Sequence, residues 1–324
     1  MRILLYHRLN IGDLILASPA LQAFKAENPQ ATIGLVTNDF VAPVSRRMPH
    51  VDACWSYAKF GGASPAEWRL LRELRAFRPD VTIGLSPNVD RRLATRVALF
   101  EGGVGFGDGL LYRLAYRGRC LPLPRGAGHV SQTLAALFGL PPGRALPDCR
   151  LNLERSATPR YAALLYLDAR KPSNRPSAEQ IIAVARALAS RSGPARIAVA
   201  GVPRDGHPSH PQDSSLSASV RRALGELPGC DFPEVSGVDG LLRLFADADS
   251  VIAPDGGAMH MAAAAGCAVV GLFGDVSPGV WGPRSARSVA LEAPSRRVAD
   301  IPPELILGAW ERLSPLRSRS AGGA

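Results

Sequence analysis

Residues 250–275 read SVIAPDGGAMHMAAAAGCAVVGLFGD. "SVIAP" and "AVVGLFG" are apolar runs of strand length, and the alanine-rich stretch between them has the composition of a helix. Strand, helix and strand in that order form a βαβ unit with parallel strands. The same alternation recurs along the chain. "RILLY" precedes "LILASPALQAFKAE", "ATIGLVT" and "DVTIGL" follow, and "YAALLYLDAR", "AEQIIAVARALAS" and "ARIAVAG" restart the pattern later. Such repetition specifies an α/β architecture with parallel sheets and argues against an all-β one.

At 324 residues and 46% hydrophobic content, the chain can bury two ordinary cores. The Pro-rich, polar segment from about Pro141 to Pro159 is the best linker, which sets domains at 1–150 and 151–324. In the first half, a loop "HRLNIGD" leads to a helix from about Leu14 to Glu27. Helices are expected over "PAEWRLLRELRAF", "RRLATRVALF" and "GHVSQTLAALFG". "GGVGFGDG" reads as a plain loop, since no apolar helix follows at the spacing of a nucleotide-binding turn. The tail "SRSAGGA" lacks apolar residues and is expected to fray.

The net charge of +10 favours anionic partners: nucleic acid, acidic lipid or a phosphorylated small molecule. The arginines are scattered and alternate with no aromatic tract, which argues against nucleic acid. Five widely spaced cysteines without a C-x-x-C pair fit a reducing cytoplasm. The apolar run near "MAAAAGCAVVGLFG" is broken by glycines and falls short of the ~20 residues of a membrane span. The expectation is a soluble protein that touches a membrane only from outside.

An acid, two glycines and a histidine between strand and helix cost stability unless they hold something. Asp255 is a natural N-cap for a helix from about Ala258 to Gly266, while Gly256 and Gly257 let a ligand approach the backbone. The free N–H groups of that helix then form an anion site suited to a diphosphate, with His260 in the first turn able to donate to it. A capped, tightly packed helix with a half-buried histidine has the same sequence. Asp13 follows the first strand, where it is either an N-cap after the Gly12 turn or, at the carboxyl end of a doubly wound sheet, a general base. "DAD" at 247–249 precedes its strand and reads as helix-end surface; "HPSH" at 207–210 reads as a surface loop, leaving no metal site.

"IGDLILASPALQAFKAENPQATIGLVT", "PHVD", "DVTIGL" with "RRLATRVALFEGGVGF", and above all "ADSVIAPDGGAMHMAAAAGCAVVGLFGDVSPGVWGP" resemble, in collinear order, the lipopolysaccharide heptosyltransferases of glycosyltransferase family 9. The resemblance implies a GT-B fold, with two Rossmann-like doubly wound domains facing each other across a cleft. The N-terminal domain would bind the acceptor and the C-terminal one the nucleotide sugar. It implies inverting, metal-independent transfer of heptose from ADP-heptose to the lipopolysaccharide inner core or a related glycan, with no cofactor. By motif match Asp13 falls on the catalytic base; Gly12, Arg91 and Arg92 are expected on the acceptor side, whose loops carry no fixed motif. Asp255, Gly256, Gly257, Ala258, Met259 and His260 fall on the donor loop. The partners implied are a nucleotide-sugar donor and a phosphorylated glycan or glycolipid acceptor, with no nucleic acid. The place implied is the cytoplasm, in peripheral contact with the inner membrane's cytoplasmic face.

Two departures mark this chain. The family run S-x-x-x-K-R-W-P-x-E, whose lysine lies near the donor phosphates, corresponds to "RKPSNRPSAEQ", with Asn174 in place of the lysine. Arg170 and Arg175 are the expected substitutes for the lost charge, Lys171 reads as solvated, and Pro176 reads as the first residue of the next helix. The donor loop also reads Asp-Gly-Gly-Ala where Asp-Ser-Gly-Pro is usual. The alternatives are a related transferase moving another activated sugar to a different acceptor, and a nucleotide-sugar-binding protein without turnover. An oxidoreductase lacks support, because no G-x-G-x-x-G follows an early strand.

Overall fold

The computed structural model describes residues 1–58, 64–124, 128–191, 196–201 and 214–313. The chain divides into two compact units, Met1–Asn152 and Leu153–Ala324. The first runs β1 (Arg2–Tyr6), α1 (Ile11–Glu27), β2 (Thr32–Asn38), α2 (Ala42–Ser45), β3 (Ala53–Tyr57) and α3 (Pro65–Ala76). It continues with β4 (Val81–Gly84), α4 (Arg91–Val97), β5 (Gly103–Phe106), α5 (Leu110–Ala115), β6 (Arg119–Leu121) and α6 (Val130–Leu137). Its six strands are all parallel, in the order β3-β2-β1-β4-β5-β6. Leu4, Leu5, Ile33 and Leu35 are buried to 1% exposure or less, as expected of strands covered on both faces.

The second unit runs β7 (Tyr161–Tyr166), α7 (Ala178–Arg191), β8 (Arg196–Ala200), α8 (Ser214–Leu224), β9 (Cys230–Asp231) and α9 (Gly237–Ala246). β10 (Ala248–Pro254), α10 (Gly257–Ala264), β11 (Ala268–Phe273), α11 (Pro278–Trp281), β12 (Ser288–Glu292) and α12 (Pro303–Leu313) complete it. Its parallel sheet has the order β12-β11-β10-β7-β8-β9. Trp310 of α12 anchors that helix by donating its indole N–H to Ser250 Oγ at 2.7 Å, and Ser250 donates on to the Ala162 carbonyl at 2.6 Å.

In both sheets the chain starts in the middle, adds two strands to one side, then returns to build the other. The strand order reverses between β1 and β4 in the first unit and between β7 and β10 in the second. Open parallel sheets bind ligands at the carboxyl end of that reversal. Each unit therefore has one edge position singled out by topology alone.

Several sequence expectations change. "GGVGFG" is not a loop but contains the strand β5, whose alternate glycines leave room for aromatic rings: a Cβ on Gly105 would stand 2.2 Å from the Tyr116 ring. α1 begins at Ile11 with Asn10 as N-cap, so Gly12 is helical and Asp13 is the third helical residue, not the cap. α10 is capped by Gly256, not Asp255, and Gly266 takes the left-handed conformation (φ 85°) one residue past the C-cap Ala265. Pro176 stands ahead of α7, and Ser177 Oγ caps it by accepting from Gln180 N–H at 3.1 Å. Asp249 lies inside β10, and only Asp247 ends a helix. "HPSH" and the tail "SRSAGGA" lie outside the described residues.

Candidate functional site

In the second unit, the segments that follow β7 and β10 flank the reversal point. After β7 the chain makes a 3₁₀ turn, Pro172–Asn174, that buries Asn174 to 1% exposure. Its amide donates to Asp255 Oδ2 at 3.1 Å and accepts from Gly274 N–H at 3.2 Å. One neutral side chain thus ties together the ends of β7, β10 and β11. Gly274 is needed there because a Cβ would stand 2.6 Å from Ser173 O and 2.9 Å from Arg296 O. The Asn174 amide is therefore spent on Asp255 and on the backbone of Gly274.

Burial pushes the Asp255 carboxyl up from 3.8 to about 6, while Lys171, the Asn174 amide and Arg170 pull it down and Asp275 adds to the rise. Lys171 is the strongest opposing charge, and its Nζ lies 3.3 Å from Asp275 Oδ1. It is not the merely solvated cation expected from sequence. Arg170 is exposed at the same edge, and Arg175 turns back to donate from Nε to the Ala169 carbonyl at 3.1 Å.

Along α10 the donor-loop residues separate into two groups. Asp255, Gly256 and Gly257 are partly exposed, and a Cβ on Gly256 would meet nothing within 4 Å, so the space before the helix start is open. Ala258, Met259 and His260 are buried. Met259 is fully covered, and its sulfur fills the room left by Gly271 on β11, where a Cβ would approach within 2.7 Å. This contact seats α10 on the sheet. The helix N-terminus then presents its N–H groups to the open side, an arrangement suited to phosphate oxygens.

In the first unit, the segments after β1 and β4 meet at the other reversal point. Asp13 is half-buried on the first turn of α1, and its Oδ2 accepts from the Asn10 N–H at 3.2 Å. His7, 1% exposed, places Nδ1 at 3.1 Å from Leu85 O and Nε2 at 3.1 Å from Asn10 O. Burial pushes its imidazole pKa down, and the Asp13 carboxylate opposes that shift. A neutral ring can donate to one of those two carbonyls; only the charged ring serves both.

Further bonds fix this edge. Arg8 Nη1 pairs with Asp90 Oδ2 at 2.9 Å, and Asp90 also caps α4 by accepting from Leu93 N–H at 3.0 Å. Asn38 Nδ2 donates to the Leu9 carbonyl at 3.2 Å. Arg91 and Arg92 follow Asp90 directly and are exposed. Asp13, Arg91 and Arg92 thus belong to segments leaving the same edge of one sheet. Sequence reasoning missed His7, Asp90 and Asn38; of these only Asp90 carries a local signal, as an aspartate just ahead of a helical pattern.

Among the described residues no group of three or more His, Cys, Asp or Glu is placed to hold a metal ion, and no helix is long and apolar enough to cross a membrane. Residues 236–301 match the family model described as glycosyltransferase family 9 (heptosyltransferase), spanning α9 through β12. No curated protein sequence matches the chain significantly. Among solved structures, the Veillonella parvula glycosyl transferase family 9 protein is similar at TM-score 0.78 and 18% identity, covering 96% of each chain. Escherichia coli ADP-heptose lps heptosyltransferase II gives TM-score 0.77 at 18% identity, over 98% of this chain and 100% of that one. E. coli heptosyltransferase WaaC with ADP gives 0.73 at 20% identity, over 96% and 99%. The family signature thus lies on the second unit, and along its length the chain has the GT-B fold of solved heptosyltransferases.

Proposed function

We propose that this enzyme transfers heptose from ADP-heptose to a lipopolysaccharide inner-core or related glycan acceptor, with inversion and without a metal. The observation that carries the reading is the coincidence of the family signature with the β10–α10 turn, at the edge position that topology singles out. Names of similar structures support the donor: one is a heptosyltransferase with ADP and another an ADP-heptose heptosyltransferase.

In this account Asp13 removes the proton of the acceptor hydroxyl as its oxygen attacks the anomeric carbon, and the nucleoside diphosphate leaves from the opposite face. Negative charge grows on the departing phosphate. The N–H groups at the start of α10 stabilise it, with Asp255, Gly256 and Gly257 shaping the loop and Arg170 and Arg175 adding positive charge. Asn174, Met259 and His260 act indirectly, by holding that loop. Gly12 sits beside the base, and Arg91 and Arg92 attract the phosphates of the acceptor. The enzyme works in the cytoplasm, against the inner face of the membrane that holds its acceptor.

A panel of ADP- and UDP-sugars examined by thermal shift tests the donor, because a ligand that binds only the folded state raises its melting temperature. ADP-heptose should give the largest rise. A larger rise with a UDP-sugar would replace this donor by another activated sugar.

A further inference from the structure

α5 is amphipathic in the inverted sense. Its inner face is seated by Tyr112, Ala115 and Tyr116 on a strip of backbone made flat by the alternate glycines 103, 105 and 107. A Cβ at Gly105 or Gly107 would penetrate the Tyr116 or Tyr112 side chain, and one at Gly103 would stand 2.7 Å from the Ala115 carbonyl. The helix cannot roll without breaking that fit. Its outer face is therefore fixed, and it consists of Leu110, Leu111 and Leu114, exposed by 73%, 50% and 60%. A single exposed leucine is ordinary, but three on two turns of one helix form a patch.

Basic side chains border the patch. Arg113 is exposed beside the leucines on the helical projection, and Arg117 is exposed beyond the helix end, its Nε donating to the Leu114 carbonyl at 3.3 Å. Asp108 is an acid at the entrance to the helix. Because β1, β4 and β5 are parallel, the segment that leads from β5 into Leu110 leaves the same edge of the sheet as those carrying Asp13, Arg91 and Arg92.

We infer that the outer face of α5 is the surface by which this protein docks on an anionic lipid bilayer, with Leu110, Leu111 and Leu114 entering the interface and Arg113 and Arg117 meeting the headgroups. Apolar residues that enter the acyl boundary flanked by arginines at headgroup level are the chemistry of an interfacial helix. The inference deepens the proposed function, since docking by this face brings the acceptor-side edge to a membrane-held acceptor.

The test is co-sedimentation of the full chain with phosphatidylcholine vesicles and with vesicles containing phosphatidylglycerol. Binding should require the anionic lipid and fall with salt. Leu110→Ser/Leu114→Ser and Arg113→Gln/Arg117→Gln should each lower the partition coefficient at least tenfold; an arginine near such a surface contributes roughly fivefold. Circular dichroism and donor binding should stay at wild-type level in both variants. Vesicle binding unaffected by either double substitution would overturn the inference, as would a concentration-dependent dimer that the leucine substitutions abolish. Turnover of a water-soluble acceptor without vesicle binding would remove the docking surface and leave the transferase intact; vesicle binding without donor binding would do the reverse.

Discussion

Replacing Asn174 by leucine keeps the branched shape of the side chain and removes its hydrogen bonds. Gly274 N–H then loses its acceptor in a buried position, which costs about 1–3 kcal/mol. Asp255 loses the 3.1 Å bond from the amide, and bonds to carboxylates are worth about 1.5–3 kcal/mol. The sum, about 2.5–6 kcal/mol, is a large share of the 5–15 kcal/mol stability usual for a folded protein. Function should suffer too, because the amide fixes the loop in front of α10; we expect donor affinity to fall at least tenfold. Asn174→Asp is the control: its carboxylate still accepts from Gly274 but faces Asp255 and pushes that carboxyl further up. Urea unfolding with calorimetric donor titration measures both effects. Leucine at 174 with stability within 0.5 kcal/mol of wild type and unchanged donor binding would refute the clamp.

Other outcomes follow from the same site. Arg170→Ala or Arg175→Ala should weaken nucleotide-sugar binding by at least about tenfold, ~1.4 kcal/mol, without the stability loss of Asn174→Leu; calorimetry showing wild-type affinity in both would remove this segment from the phosphate site. For Asp255, a folded pKa of about 6 against 3.8 means that the folded state keeps a proton that the unfolded state has released in that interval. Stability therefore falls as pH rises from about 4 past 6, by at most about 3 kcal/mol and nearer 1 once solvent screening of the half-buried group is allowed for. Asp255→Asn should flatten that slope in urea melts, whereas parallel curves would contradict it. Excess EDTA should leave transfer unchanged; activity lost to EDTA and restored by magnesium or manganese would displace the role given to the α10 N-terminus.

Apolar runs such as "RILLY" and "AVVGLFG" made the central strands legible, because a strand covered on both faces needs little except branched apolar residues. β5 was hidden by its glycines, which lower strand propensity and whose purpose, making room for Tyr112 and Tyr116, is set by residues several positions further on. The start of α1 was misplaced because Asn10 and Asp13 are both good capping residues, and sequence does not say which one caps and which one answers from the third position. In sequence, Asn174 stands only as a missing charge. Its partners lie 81 and 100 residues away, so nothing near it in the chain reveals that it is buried and spent on Asp255 and Gly274. His7 carries no local signal for a similar reason, since Leu85 reaches it only through the pairing of β1 with β4.

The central claim is that Asp13 is the base of a glycosyl transfer. Single-turnover transfer from ADP-heptose by Asp13→Asn, with donor affinity measured on the same preparation, tests it most directly. The substitution keeps the shape of the side chain, and its amide oxygen can still accept from the Asn10 N–H, but it cannot take up the acceptor's proton. The account predicts a transfer rate lower by around 10² to 10⁴-fold at nearly unchanged donor affinity. A folded variant that binds donor normally and transfers at close to the wild-type rate would contradict it.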